Sequence, residues 1–165
     1  MQRSLQKDGG QRDFSKIKHA SGAREKGLAR ALDRPRILVA DHDASTSELI
    51  ASIGDPTYQV VAVSDGREAF RLLMRDASFS AAVFNMTMPH LQGVDILHYM
   101  KTEKRLMRVP VIVVGGDEGM TRIADSFAAG AIAFVSKPFG ADQLARILQL
   151  VLHTRLIPIA VPRAA

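Results

Sequence analysis

Five short apolar runs recur from Arg36 onward, each followed by a stretch whose apolar residues fall at helical spacing. A run apolar at every position, with no in-out alternation, needs cover on both faces, which is the pattern of a strand inside a parallel sheet. Ile37-Leu38-Val39-Ala40 is such a run, Ala81 to Phe84, Val109 to Val114 and Ile132 to Val135 repeat it, and Tyr58 to Val63 does so apart from Gln59. Parallel neighbours cannot be joined by a tight turn, so the intervening segments must be crossovers, and their periodicity makes them helices.

The helix signals are local and physical. Ser45-Thr46-Ser47-Glu48 reads as a capping box ahead of Leu49, Ile50 and Ile53, and Gly54-Asp55-Pro56 stops that helix. Ser64-Asp65-Gly66 opens a second helix with Ala69, Leu72 and Leu73 as its apolar stripe. Further helices are predicted from Gly93 to Met100 or beyond, over Gly119–Ala129, and from Ala141 to His153, where Leu144, Ile147, Leu148 and Val151 share a face. Five strands alternating with five helices predict an α/β domain: a flavodoxin-like, doubly wound parallel sheet of order 2-1-3-4-5 with helices on both faces. Ligands and chemistry in such a fold belong in the crevice at the carboxyl ends of the strands. Those ends present Asp41, His42 and Asp43 after the first strand, Asn85 after the third, Gly115 and Gly116 after the fourth, and Lys137 after the fifth.

Charge divides the chain differently. Residues 1–35 hold nine Lys or Arg against four acids, whereas the remainder is balanced, so the whole excess of +5 lies in the first segment. That segment is poor in large apolar residues and is read as a basic, flexible arm, with a short helix from about Arg24 to Leu32 as its one ordered candidate. Residues 36–153 form the predicted domain and 154–165 a tail. There is no cysteine, which excludes disulfides, zinc-thiolate sites and thiol nucleophiles. No apolar stretch is long enough to span a bilayer or serve as a signal sequence, so the chain is expected in the cytoplasm.

Four pieces carry a more specific likeness: Ile37-Leu38-Val39-Ala40-Asp41, Ser64-Asp65-Gly66-Arg67-Glu68-Ala69, Asn85-Met86-Thr87-Met88-Pro89 with Gly93, and Gly130-Ala131 followed by Lys137-Pro138-Phe139. In order and spacing they resemble the receiver domain of bacterial two-component response regulators. The resemblance implies an acidic pair that holds Mg²⁺, a strand-three Asp that accepts a phosphoryl group, a Ser or Thr after strand four that senses it, and a Lys after strand five that contacts it. Of these, Asp41 and Lys137 match. His42 stands at the second acidic position, Asn85 at the acceptor, and Gly115 at the hydroxyl. Phe134 stands where the family has an aromatic switch that follows that hydroxyl.

The departures have chemical consequences of their own. Mg²⁺ prefers carboxylate oxygen, whereas imidazole suits softer metals. An amide is too weak a nucleophile to carry a phosphoryl group. With one carboxylate where the family has three, and Lys137 beside it, the crevice is predicted to bind no metal or cofactor. An Asp41–Lys137 ion pair is expected instead, either holding the crevice in one state or contributing little, and the Lys137-Pro138 bond can be cis. Asp43 has two readings, a substitute member of an acidic pair or the cap of the first helix. Gly115-Gly116 resembles a phosphate-cradling turn only superficially, and without a hydroxyl to drive it, Phe134 is expected to keep one rotamer.

The expected function is an atypical, non-enzymatic response regulator acting through phosphorylation-independent protein–protein interaction. Its contacts would come from the fourth helix, fifth strand and fifth helix, including Met120, Arg122, Ile123, Arg146 and Gln149. Leu150 and Leu152 widen the last helix's apolar face, either for a partner such as a second copy or for the tail Leu156-Ile157-Pro158-Ile159-Ala160-Val161-Pro162. The alternatives are a phosphorelay regulator with a non-standard acceptor and, less favoured, a nucleic-acid-associated regulator that binds through residues 1–35. A flavodoxin-like enzyme ranks last, because the crevice offers no nucleophile and base.

Overall fold

The computed structural model describes residues 34–54, 57–117 and 119–154. The basic arm with its candidate helix, the Asp55-Pro56 stop and the tail beyond Thr154 lie outside the described residues. The chain divides between Arg34 and Pro35, and the fold below belongs to the second unit. Its elements alternate as expected: β1 Arg36–Ala40, α1 Ala44–Gly54, β2 Gln59–Val63, α2 Gly66–Arg75, β3 Ala81–Asn85, α3 Gly93–Thr102, β4 Val111–Gly115, α4 Gly119–Ala129, β5 Ala133–Ser136 and α5 Ala141–Thr154. All strand pairs are parallel and the order is β2-β1-β3-β4-β5.

The central strands are covered on both faces, which is why their sequences do not alternate in polarity. Leu38, Ala40, Ala82, Phe84, Val111 and Val113 point into one layer with Leu73, Ile96, Leu97 and Met100 from α2 and α3. Ile37, Val39, Ala81, Val83, Ile112 and Val114 point into the other with Ile50 of α1 and Leu144, Leu148 and Val151 of α5. A fully buried side chain of this size stabilises the fold by about 1.5–3 kcal/mol relative to exposure, so these two layers fix the strand ends in space. Among the described residues no helix is long and apolar enough to cross a membrane.

Several element ends differ from the sequence-based expectation by a residue or two, and three of them have a visible local cause. β4 starts at Val111, because Pro110 has no N–H to donate and Val109 turns back to bond the Leu106 carbonyl at 2.9 Å. β5 runs from Ala133 to Ser136, one residue later than predicted, because Ser136 pairs with Gly115. The first helix starts at Ala44 and is capped by Asp43, whose Oδ1 accepts from the Ser45 N–H at 2.9 Å, so the predicted Ser45 capping box does not form.

Arg36 joins the start of β1 to the end of α2. Its guanidinium pairs with Asp76, donates to Ser78 Oγ at 2.9 Å and lies 4.6 Å over the Phe79 ring centroid. The Arg36 hydrogen bond, with help from Ser78, holds the Asp76 carboxyl at about 2 against an ordinary 3.8. A carboxyl more acidic in the folded state stabilises above its unfolded pKa, and that contribution is lost as pH falls from 3.8 towards 2. Because both side chains are about one-third exposed, solvent screening limits the effect. Asp76→Asn is therefore expected to lose no more than about 1 kcal/mol at neutral pH, with a shallower fall in stability below pH 4. Urea denaturation across a pH series checks this.

Candidate functional site

The carboxyl ends of β1, β3 and β5 converge on one carboxylate. Asp41 follows β1 directly, its backbone N–H bonded to the Val63 carbonyl at 3.1 Å, and its side chain is 1% exposed. Four donors surround it. Oδ2 accepts from Lys137 Nζ and Thr46 Oγ1, each at 2.6 Å; Oδ1 accepts from Asn85 Nδ2 at 2.6 Å and from the Asp43 backbone N–H at 3.0 Å. A carboxylate offers about four lone-pair positions, so Asp41 is saturated from within the chain.

Burial pushes the Asp41 pKa up, but the bonds from Lys137, Thr46, Asp43 and Asn85 together outweigh it and leave the group more acidic than usual. Asp41 is therefore an anion in the folded protein. That charge fixes the orientation of Asn85, whose amide nitrogen must face Asp41 while Oδ1 accepts from the Thr87 N–H at 3.3 Å. The Asn85 nitrogen also lies 3.3 Å from His42 Nδ1. The same ring nitrogen lies 3.6 Å from Asp41 Oδ1, and the His42 side chain is 55% exposed.

Lys137 is placed by its own backbone N–H, bonded to the Gly115 carbonyl at 2.6 Å, and the Lys137-Pro138 peptide is cis. Asp43 sits at the α1 cap and reaches Asp41 only through its backbone; its carboxyl is held low chiefly by the Ser45 N–H. Of its two readings, the cap is the one observed. Gly93 opens α3 against the end of β3, where an added Cβ would lie 2.6 Å from the Asn85 carbonyl oxygen, so only glycine allows the approach. Gly115 ends β4 buried, Gly116 borders open space, and Phe134 is half-buried against the α2–α3 layer.

Two participants are not legible as such in the sequence. The sequence pattern places Thr46 in a capping box, yet its hydroxyl is a buried donor to Asp41. Its signal is its place on the first turn of α1, facing back towards β1. His90, with φ at 64°, bonds through Nδ1 to Asp65 Oδ2 at 2.7 Å and ties the β3–α3 loop to the α2 cap. The Asp65 carboxyl is held low first by the Arg67 N–H at 2.7 Å and then by His90.

A family model described as the response regulator receiver domain matches residues 37–149. The chain belongs to that family. A two-component response regulator of rice (Oryza sativa subsp. indica) is 28% identical over 119 residues, 72% of this receiver chain and 81% of the relative. The signal receiver domain of a histidine kinase from Syntrophus aciditrophicus superposes with a TM-score of 0.68 at 24% identity, over 79% of this chain and 99% of that one. The receiver domain of a sensor histidine kinase from Pseudomonas aeruginosa, solved with magnesium coordinated in its active site cleft, gives 0.64 at 25% identity, over 73% and 98%. In this receiver the cleft residues do not fit that ion. The one inward carboxylate is saturated, Asn85 presents N–H rather than oxygen to it, and among the described residues no group of three or more His, Asp or Glu could hold a metal.

Proposed function

We propose that this receiver works in two-component signalling as a protein-binding module whose output does not depend on phosphorylation. The observation that carries this reading is the saturation of Asp41. Mg²⁺ entering the crevice would have to displace the Lys137 ammonium and the Asn85 amide and would gain a single carboxylate in return. Asn85, at the position the family reserves for the phosphoryl acceptor, is an amide already committed to Asp41, His42 and Thr87. The same shortage of a nucleophile and base supports a non-enzymatic role. A cytoplasmic protein partner is the ligand this reading calls for. The exposed face built from α4, β5 and α5, with Met120, Arg122, Arg146 and Gln149, offers it a mixed apolar and cationic surface.

Incubation of the full chain with acetyl phosphate and Mg²⁺, followed by intact mass measurement, tests the reading. The expected product is unmodified chain at every time point. Saturable, hydroxylamine-labile phosphorylation would overturn it and favour a non-standard acceptor.

A further inference from the structure

At the amino ends of the strands, opposite the crevice, lies a groove of about 430 Å³ whose walls include Pro35, Ile53, Tyr58, Ala145, Leu152 and His153. Its walls are firmly set. Tyr58 is 8% exposed and packs so closely on Gly54 that a Cβ there would lie 1.9 Å from the ring. Burial in this setting pushes the Tyr58 hydroxyl pKa up. Leu152 and His153 belong to the last turn of α5, so the chain leaves that helix at the mouth of the groove.

The tail sequence suits this outlet. Residues 156–161 read Leu-Ile-Pro-Ile-Ala-Val, an uncharged apolar run between Arg155 and Arg163, and they lie outside the described residues. A chain can span at most roughly 3.3–3.6 Å per residue, so six residues are ample to reach along a groove that begins at residue 153. The other route for an apolar tail, a sixth strand along β5, is opposed by the prolines. It is opposed also by handedness, because α5 lies on the α1 face and a parallel strand added beyond β5 from that face would need a left-handed crossover. A second apolar surface flanks α5 at Met107, Ile132 and Leu150, which are 63%, 51% and 69% exposed. His153 borders both the first groove and the Leu150 side of α5, whereas Leu152, in the last turn of the helix, lines the first groove.

We propose that residues 156–161 of the same chain dock in the groove between α1 and α5. The lack of native cysteine makes a direct test available in the full-length protein. Ile159→Cys is combined with Ala145→Cys, in the groove, or with Leu150→Cys, on the other flank of α5, and disulfide formation is followed under mild oxidation. Intrachain disulfide is expected to form at least about tenfold faster with Ala145→Cys, because docking raises the effective concentration. Equal rates, or a faster reaction at Leu150→Cys, would overturn the proposal. Disulfides found only between two chains would overturn it too, by assigning the groove to the tail of a second copy.

Discussion

Asp41→Ala is expected to destabilise this protein by about 3–5 kcal/mol at neutral pH, because four donors converge on a carboxylate that the substitution removes. The loss should sit near the lower bound, since the Lys137 side chain is 24% exposed and its ammonium can turn to water. Thr46 and Asn85 are buried and cannot do the same. Asp41→Asn keeps one acceptor oxygen and should fall between the two. The pH dependence has a definite sign. The Asp41 pKa is lowered in the folded state, so its stabilisation is present above its unfolded value and is lost as pH falls below about 4. The gap between wild type and variant should therefore narrow in acid. Equilibrium urea denaturation measures all of this, and a loss below about 1 kcal/mol at pH 7 would mean that Asp41 contributes no more than an ordinary surface pair.

Asn85→Asp should be the second most damaging change, although it restores the residue type that the family has at this position. It replaces an N–H donor 2.6 Å from Asp41 with a second carboxylate oxygen, so one favourable bond becomes a like-charge contact. About 2–4 kcal/mol of stability is expected to be lost at neutral pH in the absence of divalent cations. One of the two carboxyls should then titrate above its usual range, and the deficit should shrink as pH falls and that group protonates. Millimolar Mg²⁺ should recover part of the loss in the variant, because two facing carboxylates supply the hard oxygen ligands that wild type lacks. Thermal melts of both proteins with and without Mg²⁺ read this directly. A variant as stable as wild type, or one indifferent to Mg²⁺, would show that the native amide is not what closes the crevice.

Much of this architecture is legible in the sequence because burial on both faces leaves an unmistakable trace. Ile37 to Ala40 and Val111 to Val114 sit between two apolar layers, and so their runs admit no polar residue. The convergence of Asp41, Asn85 and Lys137 is also accessible, since strand ends in a parallel sheet meet in one crevice whatever their separation along the chain. Contacts decided by side-chain direction are not. Thr46 and Ser45 are neighbours on the same helical turn, and the sequence does not tell which hydroxyl caps the helix and which turns inward to Asp41; the Asp43 carboxylate takes the cap and leaves Thr46 to the interior. The His90–Asp65 bond depends on a left-handed backbone at His90, for which the sequence carries no glycine as a signal. Strand boundaries slip where a proline, as at Pro110, removes a donor that the ladder needs.

On the function proposed above, the Asp41 carboxylate is held by the protein's own donors and so leaves no place for a divalent cation and phosphoryl group. The most direct test is an NMR titration of the full-length chain with Mg²⁺ and then beryllofluoride, following the Asn85 side-chain amide and the Lys137 ammonium. Both signals are expected to stay in place throughout. A saturable shift of the two together, reached with Mg²⁺ and deepened by beryllofluoride, would mean that the crevice opens to the ion and the phosphoryl mimic.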